Sequence, residues 1–244
     1  MLCLLNNDTE VLPNFLDSVV SYLESEENIG MLSPKITYFK YKDLIWYAGA
    51  KINPKSPLFS WHIGFTQKDK PRFNKVRETD YANGAALFIP KNVVQKIGLL
   101  DEIFFLYVEE TDWNLRVRKF GYKIIYYPKT TVYHKIDPLN SENRFGYRNN
   151  PFQIYLYSRN RIILVFKHFS LLNILLFFML NQFKSLLFEF YFSIRNRKFT
   201  FLVSLFRAIL FGIIIGVRRR TNRTCESLIK KEYLYIQRFD KYRK

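Results

Sequence analysis

Two hydrophobic periods alternate along the first half of the chain. Met1–Leu5 is an apolar stub that predicts the end of a buried strand, and the polar turn Asn6-Asn7-Asp8 follows at once. From Pro13 to Leu23 the apolar residues Phe15, Leu16, Val19, Val20 and Leu23 recur at helical spacing, with Pro near the start and Gly30 beyond the end. Met31–Ile36 predicts a short strand. From Lys40 to Arg77 the pattern is poorly periodic and rich in Gly, Pro and Lys, an excursion of short strands and loops. Asp80–Pro90 predicts a turn leading into a buried strand, and Lys91–Ile97 a short helix stopped by Gly98. A second helix over Glu109–Phe120 ends at Gly121. Tyr122–Tyr127 predicts a strand closed by Pro128, and Thr130–His134 another. Strands alternating with helices predict an α/β layer fold: a mixed, mostly parallel sheet flanked by helices.

The pattern changes after His134. Residues 137–153 are polar and Asn-rich, which predicts a linker between a first domain (1–136) and a second region (137–244). Three apolar stretches follow: Ile162–Phe166, Phe169–Ile194 and Phe199–Val217. Polar or charged residues interrupt the two long ones, at Asn173, Asn181, Gln182, Lys184, Glu189 and Arg207. Arg195, Arg197 and Lys198 border the first of them, and Arg218, Arg219 and Arg220 the second. Apolar helices with basic borders suit in-plane helices at an anionic membrane surface; one genuine span or a buried bundle are the alternatives.

Charge sharpens this division. Residues 1–140 carry 18 Lys/Arg against 16 Asp/Glu, whereas residues 141–244 carry 20 against 5. The second region therefore suits an anionic partner. Its basic residues flank apolar runs instead of alternating with stacking aromatics, so nucleic acid ranks last among such partners. The two cysteines, Cys3 and Cys225, show neither metal-ligand spacing nor a disulfide framework, and a reducing compartment is expected. Met-Leu-Cys-Leu-Leu is too short for a secretory h-region.

Four elements could carry chemistry. Asn6-Asn7-Asp8 follows a strand end, where open α/β sheets bind ligands, and Asp8 could hold a hard divalent cation; it could equally cap the next helix. Glu109, Glu110 and Asp112 crowd a helix start behind the aromatic run Phe104–Tyr107, with Arg116 one turn beyond Asp112; the plain alternative is a helix with an acidic first turn. His134 would emerge at the same sheet edge as Asp8, whereas His62 and His168 suit structural roles. Asn83-Gly84-Ala85-Ala86 is small enough for close approach to a ligand, or simply a tight turn.

In this order the four elements resemble glycosyltransferase family 2, particularly its rhamnosyltransferase-like members, over roughly residues 3–135 with a weaker echo to about 165. LLNNDTEV resembles the family's metal-binding turn. DYANGAALFIPKNVVQKIGLLDEIFFLYVEETDWNLRVRKFGYK resembles its acceptor-side block, and KIIYYPKTTVYH its closing strands. YLYSRNRIIL resembles the Tyr-x-x-Arg-Asn segment that follows. The resemblance implies a GT-A-type fold and an inverting transfer from a nucleotide-sugar donor to a glycan or lipid-linked acceptor, in cell-wall or surface polysaccharide synthesis. It implies Mg or Mn at Asp8 and His134, with Asn6, Asn83 and Gly84 on the donor side. Glu110 matches the base, Glu109 its support, and Asp112 and Arg116 the following Asp and Arg. The expected place is the cytoplasmic face of the cell membrane.

Two departures matter. The family's Glu-Asp pair is Glu109-Glu110 here, which leaves the choice of base between the two open. The family's opening strand, nucleotide-contacting turn and first helices would precede Leu4, about 60–90 residues at roughly 30 per βαβ unit. A non-catalytic remnant or membrane-binding module is therefore the competing expectation.

Overall fold

The computed structural model describes residues 1–53, 56–138, 150–196, 199–221 and Cys225. Residues 139–149 of the predicted linker, and Arg197 and Lys198 of the basic border, lie outside the described residues. The chain divides into two compact units. The first comprises Met1–Leu100 with Glu110–Arg144, and the second Asp101–Glu109 with Phe145–Lys244.

In the first unit the strands are β1 (Leu2–Leu5), β2 (Thr9–Val11), β3 (Ile29–Tyr38), β4 (Ile45–Tyr47), β5 (Ala50–Asn53), β6 (Ser56–His62), β7 (Arg77–Glu78), β8 (Ala86–Ile89) and β9 (Lys123–His134). The helices are α1 (Phe15–Ser25), α2 (Lys91–Ile97) and α3, which enters from the second unit at Glu109 and ends at Lys119. The main sheet has the order β1-β8-β3-β9-β2, with β4 added to β3 and β7 to β9, while β5 and β6 form a separate hairpin. The expected mixed sheet flanked by helices thus forms, but it is not mostly parallel. Among the described residues one of its six pairings, β3 with β9, is parallel. A parallel return needs a crossover of a dozen or more residues, usually helical. The excursion between β3 and β8 holds short strands and loops instead, and β8 re-enters antiparallel to β3.

The two strands expected on either side of Pro128 are one. Pro34 pairs with Tyr127 but Lys35 pairs with Thr131, so Pro128, Lys129 and Thr130 form a bulge after which the ladder resumes. Proline has no N–H to give the ladder, and a bulge accommodates that without ending the strand. β3 is buried throughout, and its two faces support two cores. One gathers Phe15, Leu32, Ile36, Phe88 and Tyr126; the other joins Met31, Leu87, Ile89, Val93, Trp113 and Val117 under α2 and α3. Gly98 ends α2 at φ 80°, a backbone that a side chain rarely adopts.

In the second unit α4 (Pro151–His168) is capped by Asn150, whose side chain accepts from the Gln153 N–H. α5 (Leu171–Phe177) runs through a π-helical turn, Phe178–Gln182, into α6 (Phe183–Asn196), and α7 (Phe199–Arg220) follows. α7 lies along α4 because its glycines allow it. A Cβ at Gly212 would stand 2.9 Å from Ile162 Cβ, and one at Gly216 would stand 2.7 Å from the Phe166 ring. This small-xxx-small spacing lets two helices approach closely.

The segment Asp101–Glu109 is built onto these helices. Asn160 is fully buried, and its Nδ2 lies 2.7, 2.8 and 2.7 Å from the carbonyls of Phe104, Leu106 and Tyr107. Buried Arg159 donates to the carbonyl of Ile103 at 2.6 Å. Asp101 accepts from Lys167 at 2.8 Å and from Arg219 at 3.1 Å. These bonds hold a stretch in which Phe105, Tyr107 and Val108 are left-handed, at φ 59°, 69° and 74°. Such φ values are uncommon outside Gly, Asn and Asp, and for β-branched Val108 they require the surroundings to impose them.

Candidate active site

The site candidates of the first unit gather at one edge of the sheet. β1, β3 and β9 run in the same direction; Tyr38 ends level with His134, and Leu5 ends opposite Ala86 at the start of β8. Open α/β sheets bind ligands at the carboxyl ends of their strands. The Asn6–Asp8 turn is fastened there by two backbone bonds: Asn6 N–H donates to Ala85 C=O at 3.0 Å, and Lys135 N–H to Asp8 C=O at 2.8 Å. β2 then pairs antiparallel with β9, Thr9 opposite His134.

That register brings Asp8 Oδ1 within 3.2 Å of His134 Nε2. The imidazole is buried, while the Asp8 side chain is 46% exposed. Burial lowers the His134 pKa, and the Asp8 carboxylate partly offsets that shift. The distance permits contact, yet the alignment leaves both Asp8 Oδ1 and His134 Nε2 without a hydrogen-bond partner. An imidazole nitrogen and a carboxylate oxygen 3.2 Å apart, neither with a hydrogen-bond partner, fit a divalent cation. Two protein donors complete no shell by themselves, and among the described residues no third His, Cys, Asp or Glu joins them. Phosphate oxygens and water would supply the rest, as is usual for Mg.

Glu110 lies on the other side of the Asn83–Ala85 turn. Its Oε1 accepts from the Tyr81 hydroxyl at 2.6 Å. A Cβ at Gly84 would meet Glu110 Cγ at 3.2 Å, so the missing side chain is what lets the carboxylate lie against this turn. Buried Asn114 sets the spacing. Its Oδ1 accepts from Ala82 N–H at 2.7 Å, and its Nδ2 donates to Ala82 C=O at 2.9 Å and to Glu110 C=O at 2.8 Å. Asn83 closes the turn by accepting from Ala85 N–H at 2.8 Å, and its amide donates to His62 Nε2 at 3.2 Å. His62 Nδ1 must then carry the proton, which it donates to Trp46 C=O at 3.1 Å. Burial pushes the His62 pKa down to about 4. Trp46 meets His62 and His134 edge-on, with ring centroids 5.0 and 4.6 Å apart.

The remaining candidates stand elsewhere. Asp112 is fully buried and takes Arg116 Nε at 2.8 Å. Arg116 also donates to the carbonyls of Ile97, Gly98 and Leu99, which clamps α3 to the end of α2. Glu109 groups with the second unit. Sequence reasoning missed Tyr81 and Asn114 and set His62 aside; the contacts of Tyr81 with Glu110, Asn114 with Ala82 and His62 with Asn83 span 21 to 32 residues and leave no signal in local spacing.

No family model matches the chain. Over 163 residues the chain is 26% identical to the low-salt glycan biosynthesis hexosyltransferase Agl10 of Haloferax volcanii, an alignment covering 65% of this chain and 48% of that protein. The chain is similar to a glycosyltransferase. It spans about half the length of that relative. Among solved structures, the crystal structure of GalNAc-T7 with UDP, GalNAc and Mn2+ aligns at 17% identity and a TM-score of 0.47, covering 67% of this chain and 30% of that one.

Proposed function

We propose that the chain transfers a sugar from a nucleotide-sugar donor to a hydroxyl of a glycan or lipid-linked acceptor, with inversion, in the family-2 manner. The reading is supported by the Asp8–His134 pair at the end of β9 and by Glu110 lying against the Asn83-Gly84 turn, whose neighbour Ala85 accepts from the Asn6 N–H. The Asp8–His134 pair would hold Mg or Mn, which when bound supplies charge to the diphosphate leaving group. Glu110 takes the acceptor proton as the acceptor oxygen bonds to the anomeric carbon and the bond from that carbon to the diphosphate breaks. Tyr81 aims the carboxylate. Gly84 lets the carboxylate lie against the turn. One base and one in-line attack give inversion. Glu110 is favoured over Glu109 because Tyr81 and Gly84 address it. Asp112 and Arg116 serve by keeping α3 in place, and Asn6 and Asn83 shape the donor side through the turns they close.

The physiological setting consistent with this chemistry is cell-wall or surface polysaccharide synthesis at the cytoplasmic membrane face, with the basic, apolar helices near an anionic lipid surface. With Mn2+ and a panel of nucleotide sugars, Glu110→Gln is expected to lower transfer by about 10²–10⁴-fold without changing the melting profile. Retained turnover would remove the base role. Failure of the chain to bind any nucleotide sugar with metal would favour the non-catalytic remnant or membrane-binding module.

A further inference from the structure

The helices of the second unit expose what a water-soluble bundle hides. Two of them, Leu171–Arg195 and Phe199–Arg220, are long and apolar enough to cross a membrane, with mean hydropathy 1.6 and 2.3. Along the first, Leu172, Leu175, Met179, Phe183 and Leu187 are each more than half exposed. Along α7, Phe199, Val203, Phe206 and Leu210 form an exposed stripe at helical spacing. Rows of exposed apolar side chains along two helices mark an interaction site.

Three features determine how that surface meets its partner. Lys184 and Arg207 are exposed near the middle of the two helices, where a crossing helix would carry them to the depth of the acyl-chain ends. The opposite face of α7 is committed to protein along its whole length: Phe201 and Leu205 cluster with Ile154, Gly212 and Gly216 touch Ile162 and Phe166, and Arg220 donates to the carbonyls of Phe166 and Phe169. The helix it lies on, α4, buries Ser158, Arg159, Asn160 and Arg161 at its centre. Basic residues stand at the helix ends, with Arg195 at one and Arg218–Arg220 at the other, where Arg219 also pairs with Asp101 and Arg220 with backbone carbonyls; cations so placed suit anionic headgroups. Long cationic side chains reach the interface from a helix lying flat.

We propose that Leu171–Arg195 and the outer stripe of α7 lie in the plane of one leaflet of an anionic bilayer, their exposed apolar side chains among the acyl chains and neither helix crossing. This deepens the membrane part of the reading above and is independent of the transfer chemistry. The full chain, with Cys3→Ser and Cys225→Ser, takes a fluorophore on one introduced cysteine at Leu175, Met179, Phe183, Leu187 or Leu210, all exposed positions, with unchanged helicity checked for each. Vesicles of phosphatidylcholine with or without phosphatidylglycerol carry quenchers at shallow or deep acyl positions. The expected result is stronger quenching by the shallow quencher at every position, with at least about tenfold weaker binding when phosphatidylglycerol is omitted. Deep quenching at Phe183 with shallow quenching at Leu175 and Tyr191, the last tested in the same way, would mean a crossing helix and overturn the in-plane arrangement. Quenching at no position would overturn lipid contact itself. Equal binding to both vesicle types would overturn the anionic partner. No donor sugar enters the assay, so these outcomes stand apart from the fate of Glu110→Gln.

Discussion

The two units differ in how much apolar side chain they leave exposed. In the sheet unit, apolar side chains such as Leu32, Ile36 and Phe88 are wholly buried, and polar groups with work to do collect at one edge. In the helical unit, Arg159 and Asn160 are buried at 2% and 0% exposure, while Met179 stands 71% exposed. Water selects the first arrangement. The second suits a chain whose outer face meets something as apolar as its core, and in which buried Arg159 and Asn160 hold another piece of backbone. A buried polar side chain is tolerated when every hydrogen bond is made. Arg159 and Asn160 spend theirs on the carbonyls of the segment before α3.

Breaking the sheet unit should have the largest effect. Asp112→Ala leaves Arg116 beside an empty, fully buried position, and loss of one partner of such a pair costs about 3–5 kcal/mol. Urea denaturation should show that loss while Glu110→Gln shows none; equal stability of the two variants would mean that Asp112 is not the clamp described. Gly216→Val should cost about 1–3 kcal/mol by overpacking against Phe166. Hydrogen exchange should place the damage in α4 and α7 and leave β3 and β9 as protected as before. Loss of protection in the sheet would end the contrast between the units.

Acid should act on the sheet unit as well. Burial holds the folded His62 pKa at about 4, below the ordinary value of 6.5, so the unfolded chain binds the proton more readily. Stability is therefore independent of this group above about pH 6.5 and falls as pH drops from there toward about 4. His62→Gln should flatten that slope in thermal melts taken across the window. An unchanged slope would assign it to other groups, with His134 the first to test because burial lowers its pKa too.

Much of this was legible from short-range pattern. The helix over Lys91–Ile97 forms with the expected bounds because hydrophobic spacing and a terminal glycine are local signals. Glu109 was readable as a helix start for the same reason. Pro128 misled because proline ends ladders in general but here sits in a bulge. The expected strand directions were wrong because direction depends on which strand a returning chain joins, and the 39–85 excursion carries no periodic signal of that.

By itself, the sequence determined which residues are apolar, where helices stop, which carboxylates crowd the start of α3 and how unevenly charge is shared between the two regions. These follow from neighbours within one or two turns of chain. Tertiary structure alone decided that Asp8 meets His134, through the pairing of Thr9 with His134, and that Glu110 answers to Tyr81 and Gly84 and not to its sequence neighbours. It also decided that Asp101–Glu109 groups with the helices and not with the sheet. Contacts across 26 to 126 residues depend on strand register and helix packing, and those are set by burial of the whole core, which no local window contains.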